Sequence, residues 1–123
     1  MPTSKTSRDS HYDLEDRTFK FARQGRGFVK MLPRTIGNTE DIKQVVRSSG
    51  SVGANYIEVN ESLGKKDFRM RIRISRKESK ETGYWLRLLD TQDNAPLNTE
   101  REKLVQESIE LMRIFGGILQ KSE

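Results

Sequence analysis

The sequence predicts an all-α protein, an antiparallel up-down-up-down four-helix bundle, and three observations carry that expectation. Apolar and small residues recur at steps of three and four along four separate segments, the spacing of one helix face. Short stretches rich in Pro, Gly and Asn, such as "PRTIGN" at 33–38 and "NAPLN" at 94–98, punctuate them. Hydrophobic residues make up only 33% of the 123-residue chain and charged residues another 33%, so a single core must be a narrow seam backed by wide polar faces. No run of β-branched or aromatic residues alternates at period two, which argues against strands.

Residues 1–11 are polar and read as a flexible N-terminal tail, leaving 12–123 as one bundle domain. A first helix over 12–32 carries Leu14, Thr18, Phe21, Ala22, Gly25, Phe28, Val29 and Leu32 on one face, and Pro33 ends it. Asn38 or Thr39 is the expected N-cap of the second helix, with Glu40 and Asp41 facing the positive end of its dipole. Its seam runs Ile42, Val45, Val46, Ser49, Val52, Gly53, Tyr56, Val59, Asn60, Leu63, and Gly64 closes it. That rhythm passes unbroken through "RSSGSVGANYIEVNESLGKKDF" at 47–68, so these glycines serve packing and termination. A phosphate-gripping loop would interrupt the rhythm, and Gly64-Lys65 lacks both the upstream glycine and the following Ser/Thr of such a loop.

The third helix, 66–90, shows two seams. One is Phe68, Ile72, Ser75, Ser79, Thr82, Leu86, Leu89; the other is Ile74, Glu78, Glu81, Trp85, Leu88. Two seams imply contacts on two sides, one of them with another subunit. Thr99 with Glu102 reads as a capping box for the fourth helix, whose stripe is Leu97, Leu104, Val105, Ser108, Leu111, Met112, Phe115, Ile118 and Leu119. Ser49, Gly53, Tyr56, Glu78, Glu81, Tyr84 and Trp85 are the candidate packing and oligomer-contact residues. Tyr84 and Trp85 suit base stacking too, but "YWLRLL" at helical spacing reads first as packing.

The chain is basic, with a net charge of +5, and the excess is localised. Segment 12–34 carries +3 and segment 66–90 carries +4, while 39–65 and 97–123 carry −1 each. Lys20, Arg23, Lys30 and Arg34 follow steps of 3, 7 and 4; Arg69, Arg73, Arg76, Lys80 and Arg87 follow 4, 3, 4 and 7. Like charges one turn apart repel by a few tenths of a kcal/mol, so neither stripe serves helix stability. Two readings stand: a solvated face partly neutralised by Asp13, Glu15, Asp16 and Asp67, or a phosphate-binding face that includes Lys65 and Lys66. Arginine forks onto phosphate oxygens, which favours the second for the third helix.

Other chemistry is poorly supported. There is no cysteine for disulfides or thiolate metal sites, and the lone His11 lies in the tail. The pairs Glu58/Glu61 and Glu78/Glu81 lack the Glu-x-x-His partner of a carboxylate metal bundle, and ion pairs with Arg47, Arg71 or Lys77 account for them better. No enzyme activity and no cofactor are expected. No apolar run is long enough to span a membrane, and the N-terminus lacks the apolar region of a signal peptide, so a cytoplasmic location is expected.

"RSSGSVGANYIEVNESLGKKDF" followed by "RISRKESKETGYWLRLL" resembles the 23S rRNA intervening-sequence protein family, also called the four-helix bundle protein family. The matching positions are Arg47, Ser48, Ser51, Val52, Ala54, Asn55, Glu58, Lys65, Lys66, Asp67 and Phe68, then Lys77, Glu78, Glu81, Thr82, Tyr84, Trp85 and Leu86. "YDLEDRTFKFA" matches the family's start, so the resemblance covers about 12–115. It implies a bundle that assembles into a ring, commonly a homopentamer. The family is also similar to the accessory variability protein of diversity-generating retroelements, a basic pentamer that binds nucleic acid and a reverse transcriptase. One departure is Gly25 and Gly27, which stand mid-helix where the family usually carries helix formers; each costs about 1 kcal/mol relative to Ala. Two functions follow. The first is a homo-oligomer that binds RNA or DNA non-specifically through its basic helix faces. The second is a scaffold presenting a basic surface to a protein partner of the reverse-transcriptase kind.

Overall fold

The computed structural model describes residues 7–123, with side chains from residue 13 onward. Of the expected 1–11 tail, residues 1–6 lie outside the described residues, whereas 7–11 continue the first helix. Four helices follow in order: α1 (Ser7–Val29), α2 (Ile36–Ile57), α3 (Lys65–Leu88) and α4 (Ala95–Lys121), with a 3-10 turn at Glu58–Glu61 after α2. Among the described residues there is no strand. The side-chain pairs that join neighbouring helices run in opposite sequence directions. Thr18 faces Gly53 while Gly25 faces Ser49; Ser75 bonds Val52 while Thr82 meets Ser48; Arg69 reaches Leu119 while Gly83 abuts Ser108.

The helix ends differ from the sequence expectation, and each difference has a side-chain cause. Thr35, extended at φ −78° and ψ 166°, caps α2 by accepting the Asn38 amide at 3.0 Å. Glu40 and Asp41 therefore sit beyond the first turn. Asn38 is not a cap but a buried clamp. Its Nδ2 donates to the Pro33 and Asp90 carbonyls, both at 2.9 Å, and its Oδ1 accepts the Asp90 amide at 2.8 Å. It thereby ties the start of α2 to the end of α3. Gly64 serves α3 rather than α2: its φ of +119° turns the chain, its carbonyl accepts the Phe68 amide at 3.0 Å, and Asp67 accepts the Leu63 amide at 3.1 Å. The cap of α4 is Asn94, which accepts the Leu97 amide at 3.1 Å, with Pro96 in the first turn where a missing N–H costs nothing. Thr99 lies inside the helix and donates to the Ala95 carbonyl.

Phe21, Phe28, Val45, Val52, Ile72, Leu86, Leu111 and Phe115 fill the core, with Tyr56 tilted onto Phe115 at a centroid distance of 5.8 Å. Burial pushes the Tyr56 phenol up to about 12, with Glu15 adding to the shift. Between these side chains lies an unusual amount of buried hydroxyl: Thr18, Ser48, Ser49, Ser75, Ser79, Thr82 and Ser108. Most of these hydroxyls bond a carbonyl of their own helix, as Ser79 does with Ser75 at 2.8 Å. Ser75 instead donates across to the Val52 carbonyl of α2 at 2.9 Å. Such short side chains let the backbones approach closely, and a Cβ on Gly53 would stand 3.0 Å from Thr18 Oγ1.

The α1–α4 seam is the sparsest of the four, and Arg17 fastens it. Its guanidinium forks onto Glu107 at 2.7 and 2.8 Å and reaches Glu110 at 2.8 Å. Its pKa is raised above the ordinary value, chiefly by the Glu107 hydrogen bond, while hydrogen bonds from Gln106 and Arg17 lower that of Glu110.

Two outcomes are expected. Asn38→Ala strands the Asp90 amide and two carbonyls, so urea denaturation should show a loss of about 2–4 kcal/mol. For the glycines, a Cβ at Gly27 meets nothing within 4 Å and one at Gly25 makes ordinary contact at 3.7 Å. Gly27→Ala should therefore raise stability by about 1 kcal/mol, while Gly53→Ala lowers it.

Candidate nucleic-acid interface

With the helix ends in place, the basic charge concentrates on one helix. α3 carries nine Lys/Arg against three Asp/Glu, a net +6; α1 carries +1, and α2 and α4 are neutral. Lys30 and Arg34 fall beyond the end of α1, which corrects the sequence apportionment. The two stripes also do not form one surface. α1 and α3 each adjoin α2 and α4 but not each other, so they stand diagonally across the bundle.

Core residues Phe68, Ile72, Ser75, Ser79 and Leu86 mark the inner side of α3, and on the outside Lys66, Arg73, Lys80 and Arg87 recur at helical spacing. All four are exposed and form no ion pair among the described residues. Lys65, which opens the helix, and Arg76, whose guanidinium lies across Gly116 of α4, are exposed as well. Lys77, assigned from sequence to ion pairing with glutamate, belongs to this open face too; its i+4 spacing from Arg73 was the signal. Arg69 is different. Its Nη1 donates to the Leu119 carbonyl at 2.7 Å and to the Ser122 hydroxyl, closing the last turn of α4.

On the α1 side, Lys20 pairs with Asp16 at 2.8 Å, and the Asp16 hydrogen bond raises its pKa. Arg34 donates to the Val29 carbonyl at 3.1 Å and so caps α1. Arg23 and Lys30 remain exposed. Arg34 and Arg69 thus act as structural caps, a role that helical spacing cannot reveal.

The candidate packing residues divide as well. Ser49 and Tyr56 are buried, and Gly53 meets Thr18. Glu78 is buried with Arg47 Nη1 at 3.4 Å from its Oε1, and Arg47 Nη2 stands 3.9 Å from Glu81. Trp85 packs against the core, and its Nε1 is buried with no hydrogen-bond partner. Tyr84, by contrast, is 51% exposed and belongs to the outer face, held edge-on to Trp85 at a centroid distance of 5.1 Å.

Two apolar surfaces adjoin the charged residues: Met70 stands one turn from Lys66 and Arg73, and Arg23 and Arg26 are among the residues lining the second. Met70 and Leu88 are exposed beside half-buried Ile74 and Trp85, forming a ridge along α3. A groove of about 500 Å³ runs between α1 and α2 over Ala22, Gly50, Gly53 and Ala54, walled by Phe19 and Ile57. Sequence reading missed Phe19 because it stands off the helical seam. Among the described residues no group of three acidic, His or Cys side chains converges for a metal, and no helix is long and apolar enough to cross a membrane.

Comparison with known proteins adds three findings. A family model described as 23S rRNA-intervening sequence protein matches residues 12–117. A crystal structure of a protein of unknown function from the S23 ribosomal protein family of Bacteroides thetaiotaomicron superposes with a TM-score of 0.73. It is 26% identical, and the match covers 89% of this chain and 97% of that one. No curated protein matches.

Because Arg69 caps α4 whereas Arg73 is open to solvent, the two should respond differently to truncation. Arg69→Ala should lower thermal stability by about 1–2 kcal/mol, and Arg73→Ala should leave it within about 0.5 kcal/mol.

Proposed function

The chain belongs to the 23S rRNA-intervening sequence protein family, and from that premise we propose that it is a non-catalytic, self-assembling protein that binds RNA or DNA through the phosphate backbone. The observation that carries this reading is the outer face of α3. Lys66, Arg73, Lys77, Lys80 and Arg87 stand exposed along one helix, none of them ion-paired to a carboxylate among the described residues. Within the free protein this arrangement costs repulsion and gains nothing in packing. Phosphates aligned along the helix offset it by releasing their condensed counterions. The same contact carries no base readout, so binding is non-specific in sequence.

Self-association is supported by the two apolar surfaces. The α3 ridge and the α1/α2 groove are different in shape and lie on different elements, and two unlike surfaces that meet head to tail generate a ring when the rotation closes. Around such a ring each subunit presents its own α3. Diagonal placement of α1 and α3 then matters less, because α3 alone supplies the phosphate contacts.

The test uses the full chain and a variant carrying Arg73→Glu, Lys80→Glu and Arg87→Glu, which spares the capping Arg69. Fluorescence anisotropy with a labelled oligonucleotide should show affinity falling steeply with salt, and the variant should lose most of it. Undiminished binding by the variant would remove the proposal. Light scattering should give a mass that is a multiple of the single chain, and a monomer would remove self-association.

A further inference from the structure

Resting on the phosphate-binding reading of α3, we infer that Tyr84 makes this face a reader of single-stranded nucleic acid, with the phenol ring stacking on one unpaired base. Helical spacing sets the ring among the cations: Lys80 lies one turn before it, Lys77 two turns before it and Arg87 one turn after it. Half of the residue is open to solvent, although a large aromatic in a chain with only 33% hydrophobic residues would serve stability better in the core. Its ring rests against Trp85, at an interplanar angle of 76° with centroids 5.1 Å apart, and a ring braced in this way gives up less side-chain freedom when a base stacks on it.

An exposed aromatic flanked by cations suits a single strand better than a duplex. In a duplex both faces of every base are already stacked, so the ring has nothing to pack on and only the phosphates remain available. In a single strand the phosphates engage the Lys/Arg track while an unstacked base lies on the ring. Every base has a π-face, so the contact tolerates any sequence. The preference is for strandedness.

Trp85 is the only tryptophan and lies against Tyr84, so it reports on the site. Titrating the full chain with a ten-nucleotide oligouridylate should change Trp85 fluorescence, and a duplex of the same length should bind with lower affinity and little spectral change. Tyr84→Ala should weaken oligouridylate binding by roughly 5- to 150-fold, the range of one base–aromatic stack, without altering the salt slope. Tyr84→Phe keeps the ring and should bind as the parent does. Lys80→Ala should instead reduce the salt slope by about 0.7. If Tyr84→Ala binds as tightly as the parent while the triple glutamate variant does not bind, the stacking inference is overturned and the phosphate reading stands. If the triple variant also binds normally, both are overturned. Equal affinity for duplex and single strand likewise overturns the preference.

Discussion

The bundle depends on helices that come close enough to be held by small side chains. A chain with one residue in three hydrophobic cannot surround itself with leucine, and it uses serine, threonine and glycine at the contact points instead. Each buried hydroxyl must find an acceptor, and the nearest is a carbonyl of its own helix or, for Ser75, of the neighbouring α2. Gly53 against Thr18 and Gly83 against Ser108 show the same economy from the backbone side. Because the inner strip of α3 is narrow, most of its circumference is released from packing. The charged outer face is possible for that reason.

The charged residues themselves are divided between tasks. Arg34, Arg69 and Arg101 each send a guanidinium to a carbonyl at a helix C-terminus, namely those of α1, α4 and α3. There the cation both satisfies an orphan acceptor and meets the negative end of the dipole. Arg17 bridges α1 and α4, and Arg47 serves two glutamates on α3. What remains uncommitted on α3 is a group at helical spacing along one face rather than a scatter.

Much of this was legible in the sequence, and what was not has physical reasons. The inner stripes could be read because periodicity is a property of many residues at once, and no single side chain can overturn it. Helix ends depend on one side chain each. Thr35 and Asn38 are both competent caps three residues apart, and the choice falls on Thr35 because Asn38 is required by Asp90, more than fifty positions away. The same holds for Asn94 against Thr99. Errors at the ends then placed Lys30 and Arg34 on α1 and inflated its charge. Which arginines are caps was invisible for the same reason: Arg69 and Arg73 share a stripe, and only the position of the α4 terminus separates them.

The Asn38 clamp has a further consequence in time. Its contact with Asp90 spans 52 residues and lies at the open end of the α2–α3 hairpin, away from the Gly64 turn. Pairing of the two helices grows most cheaply outward from that turn, where the loop to be closed is short. If pairing follows that order, the clamp closes late, and weakening it should speed unfolding more than it slows folding, so that its strength is read in how long a folded molecule survives.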